Sequence, residues 1–288
     1  MTRERVNEVT FTTWRPRANV TARGARPAPS VCLFCDAMRR DVVGVLLAAA
    51  LAVSATASGD HHHYTDNSHR VALLAQLLCS KAPPDTVLDQ GSWCLEKDEG
   101  NSGVLGYNIA PMHLLDQPLA EQMYQHMVAS AGAGNISVFD VGAGSGQYKY
   151  WFTNRSSVGL DYRACDGALN VETFTKGVVA WCDLTRPIHA APSDWVISLE
   201  VGEHLPEHLA AEYLANLHRL DTNGVFLSWA VPMQPGKGHI NCQNNSWVTA
   251  QMEAMGYTLN ATAMQLGRAV AEYPWFKNTY MVFDRLDR

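Results

Sequence analysis

The sequence predicts an α/β fold, a doubly wound and mostly parallel sheet with helices on both faces. Three observations predict it. Val138-Phe-Asp-Val-Gly-Ala-Gly-Ser-Gly-Gln-Tyr148 is an apolar strand running into a glycine-rich turn. From there, short apolar runs alternate with helical stretches through residue 232, as parallel strands joined by crossover helices require. Several of these runs end in an acid, and ligands of such sheets meet the carboxyl ends of the strands. With 288 residues, 47% of them hydrophobic, the chain has enough for one domain of this kind and additional segments.

The segments come first. Residues 1–40 hold eight arginines and several prolines with little periodicity, which predicts a disordered N-terminus. Residues 41–59 read as a signal peptide or a signal anchor. Arg39-Arg40 precede the apolar core Val42–Val53, and an Ala-x-Ala site stands at Ala55/Ala57. A start at Met38 makes this an ordinary signal peptide. Retained instead, Val42–Gly59 is near the minimum length for a span, and the arginines place the folded part in the lumen. An organelle transit sequence is the alternative. The His61-His-His63 run lacks a partner cluster at ligand spacing, so no metal is assigned from the sequence.

Residues 60–130 read as a helical extension. His69–Lys81 presents Val71, Leu74, Leu77 and Leu78 on one face and is stopped by Pro83-Pro84. Gly91-Ser-Trp-Cys-Leu95 and a loop rich in Gly and Asn follow. Pro118–Ser130, with Leu119, Met123 and Met127, is the helix before the first strand. Residues 131–288 form the sheet domain, with Thr279–Asp284 as its final strand. Five cysteines lie beyond residue 60, so full pairing is impossible. Cys79 with Cys94 is the expected disulfide in an oxidising compartment, and Cys165 and Cys182 are expected free in buried strands. Cys32 and Cys35 lack the second pair that a zinc site needs. Sequons at Asn135, Asn154, Asn244 and Asn260 are compatible with the secretory pathway.

Glycine spacing discriminates among ligands of the turn. A dinucleotide fingerprint needs its third glycine at position 147, which is Gln147, and this disfavours a dehydrogenase. A phosphate loop needs Gly-Lys-Ser/Thr at its end, and no lysine occurs before Lys149. Here Gly142, Gly144 and Gly146 fall on every second residue behind Asp140. About 20 residues further on, an acid is expected for the two hydroxyls of a ribose. Asp161 and Asp166 both qualify, and Gly167 after Asp166 suits a tight strand exit. Further strands end at Asp183, beside Leu184, and at Glu200 in Asp194-Trp-Val-Ile-Ser-Leu-Glu-Val-Gly-Glu-His204.

This pattern resembles the class I S-adenosylmethionine-dependent methyltransferases. The resemblance implies a Rossmann-like sheet with an antiparallel edge strand and S-adenosylmethionine as cofactor. It implies that Gly142, Gly144 and Gly146 pass under the methionine part, and that Asp140 orders the loop or meets the amino group. It gives Asp166, or Asp161, to the ribose, Asp183 and Leu184 to the adenine, and Glu200 to the end of the fourth strand. Glu200-Val-Gly-Glu-His204 looks like a Glu-Val-x-Glu-His stretch common in small-molecule methyltransferases. Together with Gly91–Leu95, Gly146-Gln-Tyr148, Asp166–Glu172, Ser228-Trp-Ala230 and Gly236–Asn241, it resembles one poorly characterised branch over roughly residues 90–285.

Chemistry and charge frame the function. A net charge of −6 and a pI near 6.0 give no basic face, so nucleic acid is not the expected partner. A small-molecule or glycan acceptor is expected instead, and a luminal domain reaches glycan hydroxyls. An oxygen acceptor must lose a proton, which suits a histidine. His239, in the glycine-rich loop Pro232–Asn241, is the first choice for that base, and His204 the second. Asn241 is read as a substrate contact or a turn residue, and Trp229 as core or substrate platform. The alternative function is a binding or regulatory protein that keeps the fold without catalysis.

Overall fold

The computed structural model describes residue 74 and residues 77–81, 87–88, 91–96, 113–131, 134–155 and 159–286. The expected disordered N-terminus, the signal segment and the His61–His63 run lie outside the described residues. Among the described residues, no helix is long and apolar enough to cross a membrane. Leu74 and residues 77–81 are helical, inside the helix expected from His69 to Lys81.

The sheet domain follows the predicted alternation. Its elements are α1 (Gln117–Ala131), β1 (Ile136–Val141), α2 (Gln147–Arg155), β2 (Leu160–Asp166), the single turn α3 (Val171–Phe174) and β3 (Ala180–Trp181). Then come β4 (Ser193–Leu199), α4 (Ala210–Leu220), β5 (Asp221–Ser228), α5 (Asn245–Ala254), β6 (Tyr257–Leu259), α6 (Ala261–Val270), α7 (Pro274–Thr279) and β7 (Met281–Arg285). The seven strands lie in the order β3-β2-β1-β4-β5-β7-β6. All neighbours pair parallel except β7, which is antiparallel to both β5 and β6. Antiparallel pairing therefore stands at the expected edge, with the reversed strand β7 inside a three-residue outer strand.

Side-chain alternation splits the core in two. Ile136 and Val138 of β1, Trp195 and Ile197 of β4, and Phe226 of β5 pack with α1, α2 and α6 on one face. Phe139, Val141, Val196, Val225 and Leu227 point the other way, onto Tyr213, Leu214 and Leu217 of α4 and Val248 and Met252 of α5. Strand order reverses between β1 and β4, which opens a crevice at the carboxyl ends of these strands.

One buried acid joins the elements that flank this crevice. Asp116 precedes α1 and is fully buried. Its Oδ1 accepts the Leu119 amide at 3.1 Å, which caps the helix. Its Oδ2 accepts the Glu272 and Tyr273 amides at 2.8 and 3.0 Å and fixes the turn from α6 to α7.

Cys79 and Cys94 form the expected disulfide, which ties helical residues 77–81 to the segment 91–96. The expectation for Cys165 and Cys182 is corrected, because they too are bonded. Parallel pairing of β2 with β3 brings their Cα atoms to 5.6 Å, within the range a disulfide needs. Their spacing in the sequence carries no sign of that approach. Cys242 is the free cysteine among the described residues.

Candidate active site

A cavity of about 750 Å³ lies over the carboxyl ends of β1, β2, β4 and β5. This volume is in the usual range for a small-molecule site. The glycine turn and the ends of β2 and β3 form one wall. The turn after β4 and the loop after β5 form a second, and Trp275 and Phe276 of α7 join it. Gly91, Ser92, Trp93 and Leu95, with His113 and Leu114, complete the lining.

The glycine turn is built by backbone geometry. Gly142, Gly144 and Gly146 have φ of 81°, 55° and 80°, a region in which side chains are strained. Amides of Gly142 and Ala143 both donate to the Cys165 carbonyl, at 2.9 and 3.0 Å, and fold the turn over the end of β2. Gly142 and Gly144 line the cavity; Gly146 does not. Gly146 is instead a buried support whose amide donates to Ala143 as α2 begins. A Cβ on Gly144 would lie 2.7–2.9 Å from the ring of His113. His113 carries no motif in the sequence, and only the fold places it over the turn.

Asp140 lies behind the turn and not in the cavity wall. It is buried in β1 below the turn, and its Oδ2 accepts from the Tyr162 hydroxyl at 3.0 Å. It does not line the cavity, so its role is to support the turn from beneath. Burial pushes its carboxyl up to about 7; the Tyr162 bond opposes this, Asp166 adds to it and Lys149 opposes it.

The strand-end acids separate clearly. Asp166 closes β2 in the cavity wall. Its Oδ2 accepts the Gly144 amide and its Oδ1 the Ala168 amide, both at 2.8 Å. Each oxygen keeps a lone pair for a ligand hydroxyl. Asp161 is corrected: it lies at the start of β2, is exposed, and is not in the cavity wall. The strand runs on to Asp166, so Asp161 is at the wrong end. Asp183 and Leu184 both line the cavity. Asp183 Oδ1 accepts the amide and hydroxyl of Thr185, at 3.0 and 2.6 Å, which shapes the turn that presents Leu184. Glu200 also lines it, with φ of 55°. Its carboxylate accepts from Gln234 Nε2 at 2.5 Å and from the Thr279 hydroxyl at 3.1 Å, and so links β4, the loop after β5, and α7.

The two expected histidines come together. Their rings are 5.0 Å apart between centroids, and both line the cavity. His204 Nδ1 lies 3.2 Å from the Gly238 carbonyl, and His239 Nδ1 lies 3.1 Å from the Gln234 carbonyl. Burial, helped by the neighbouring His239, lowers the His204 pKa to about 4, so its ring is neutral at ordinary pH. The edge of His204 also meets Trp93, at 4.8 Å between centroids. The ring of His239 lies against Gly236, where a Cβ would come within 2.0 Å of Nε2.

Glu203 completes this group, and sequence reasoning did not single it out. It is fully buried, with Oε1 3.9 Å from His239 Nε2; neither carboxyl oxygen has a well-formed hydrogen bond, and the Ala230 backbone and the Glu200 carboxyl are near it. Burial, with Glu200 nearby, raises its pKa well above the ordinary carboxylate value. Glu203, His204 and His239 each offer a donor atom, and these atoms lie within 4.8 Å of one another. Its place in the Glu200-Val-Gly-Glu-His204 stretch, next to His204, was the signal available in the sequence. Asn241 and Trp229 are structural: both are buried, and the indole donates to the Asn241 carbonyl at 2.7 Å.

No protein-family model matches the chain, and no curated protein matches it in sequence. Solved methyltransferases resemble it in fold. Magnesium protoporphyrin IX methyltransferase from Synechocystis PCC 6803, with S-adenosylhomocysteine bound, is 16% identical. The match covers 58% of this chain and 81% of that one at a TM-score of 0.42. An amino pentose methyltransferase from Micromonospora echinaspora, with S-adenosylmethionine bound, is 13% identical over 58% of this chain and 89% of that one, at 0.44. A 1,6-didemethyltoxoflavin N1-methyltransferase from Burkholderia thailandensis is 16% identical over 60% and 80%, at 0.39. The strand order of this chain, not these matches, establishes its fold.

Proposed function

We propose that the protein is an S-adenosylmethionine-dependent methyltransferase that modifies a hydroxyl of a small molecule or glycan. One observation carries this reading. Asp166, at the carboxyl end of β2, receives the Gly144 amide of the glycine turn in the wall of a cavity at the sheet's reversal point. The residues present fit the cofactor. Asp166 keeps a lone pair on each oxygen for two ribose hydroxyls, Leu184 is apolar surface for the base, and Gly142 and Gly144 leave room for close approach. S-adenosylmethionine supplies a methyl group on a sulfonium, so an oxygen–carbon bond forms as the sulfur–carbon bond breaks.

The chain's own task is to align the acceptor, exclude water and remove its proton. Glu200, tethered by Gln234 and Thr279, sets the turn that carries Glu203 and His204. Proton removal falls to the group of Glu203, His204 and His239. Segment 91–95 shields it, and the Leu95 amide and carbonyl hold that segment to the Asn170 side chain at 2.8 Å each. Two disulfides support an oxidising compartment and hence the secretory lumen.

Calorimetric titration of the full chain with S-adenosylmethionine tests the cofactor. Micromolar binding is expected, weakened at least about tenfold by Asp166→Ala, since bonds to a charged group contribute about 1.5–3 kcal/mol each. Asp161→Ala leaves binding unchanged, and NAD does not bind. A folded wild-type chain that ignores S-adenosylmethionine ends this reading.

A further inference from the structure

We propose that Glu203, His204 and His239 hold a divalent transition-metal ion, which anchors the acceptor oxygen in the cavity. The site itself stands on geometry; the anchoring role rests on the function proposed above. Three donor atoms, two ring nitrogens and one carboxylate oxygen, lie within 4.8 Å of one another. Ligands bonded at about 2.0–2.2 Å to a common ion stand roughly 3–3.5 Å apart, so binding draws the widest pair in by about 1 Å or somewhat more.

Glu203 points to the ion most directly. A carboxyl with no exposed surface, the Glu200 carboxyl beside it and no well-formed hydrogen bond to either oxygen is costly to bury in its ionised form. A cation at this place removes that cost. Both histidines are prepared in the manner of metal ligands. Each turns Nδ1 to a backbone carbonyl, of Gly238 for His204 and of Gln234 for His239. With the proton on Nδ1, the lone pair is on Nε2, which is the usual second-shell arrangement. The ligands come from two segments that the backbone locks together, because the Glu203 carbonyl accepts the amides of Ile240 and Asn241 at 2.9 Å each.

Donor chemistry selects the ion. Two imidazoles and one carboxylate suit manganese, iron, cobalt or zinc, whereas magnesium and calcium take mostly oxygen. Three protein ligands leave open positions, and His204 and His239 both border the cavity. A hydroxyl bound there gives up its proton more readily, and the proton passes to water. The histidines then act as ligands rather than as proton acceptors.

The full chain, stripped with EDTA and dialysed against Mn²⁺ or Zn²⁺ alone, is assayed for bound metal by mass spectrometry. One ion per chain is expected. Glu203→Gln and His239→Ala each lower affinity at least tenfold, while a variant with His61, His62 and His63 all changed to Ala keeps the ion. Glu203→Gln preserves shape, so stripped protein melts no lower than wild type, and Zn²⁺ raises the Tm of wild type only. No retained ion, an ion retained by Glu203→Gln, or an ion lost with the His61–His63 change overturns the site. Asp166→Ala separates the two proposals, since it loses S-adenosylmethionine and keeps the metal. A chain that binds metal but not S-adenosylmethionine supports the site and ends only the methyltransferase reading.

Discussion

Asp140 illustrates how burial converts one side chain into a pH-dependent stability element. Its ordinary pKa of 3.8 becomes about 7 in the folded chain, chiefly through burial. Between these values the folded state holds a proton that the unfolded state has released. Its contribution is therefore fully present below about pH 4 and is lost as pH rises through 7. The whole effect is on the order of 4 kcal/mol. Asp140→Asn keeps an acceptor for Tyr162 and removes the titration, so its Tm should fall less between pH 5 and 8 than that of wild type. Equal slopes would exclude the assignment. Gly236 makes a steric case. A Cβ there would lie 2.0 Å from His239 Nε2, so Gly236→Ala must displace the ring. Turnover should drop at least about tenfold, the scale of a lost proton-transfer or metal-ligand contact. Affinity for S-adenosylmethionine should stay unchanged, because Gly236 is not on the strand ends that meet it.

Among the elements, β1 and β4 were legible because continuous apolar runs of this length are what a strand buried on both faces requires. β3 was legible only as a region. It is two residues long and exposed, so the stretch Gly177–Leu184 is mostly turns around a short strand. The last strand, β7, was placed correctly, while the outer strand β6 left too short a pattern to read. Asp116 was invisible because its partners, Glu272 and Tyr273, lie more than 150 positions away. Asp116→Ala removes the cap of α1 and leaves two further amides without their acceptor. The cost should be about 3 kcal/mol or more, read as a lower urea midpoint with unchanged slope. Asp116→Asn, which retains an acceptor, should recover part of it.

For the molecule as a whole, compartment decides which acceptors are reachable. Asn244 is exposed just before α5, whereas Asn260 caps α6 through Ala263 and donates to Asp284 at 2.9 Å. In the secretory lumen, the full chain should carry a glycan that endoglycosidase removes, and Asn244→Gln should reduce the shift while Asn260→Gln does not. A chain without glycan, with both cysteine pairs reduced in cells, would place the protein elsewhere.

The sequence by itself determined the fold class, the glycine turn, the strand-end acids and the two histidines. These depend on periodicity, on glycine's freedom and on spacing within a single strand-and-turn unit, all of which are local. Tertiary structure alone decided that Asp166 rather than Asp161 meets the cavity, that Asp140 and Gly146 lie beneath it, and that Cys165 bonds Cys182. It alone set Glu203 beside His239, from two segments joined only when the loop after β5 packs on the turn after β4. Each of these is a relation between side chains on separate elements, and pairing register and packing create it.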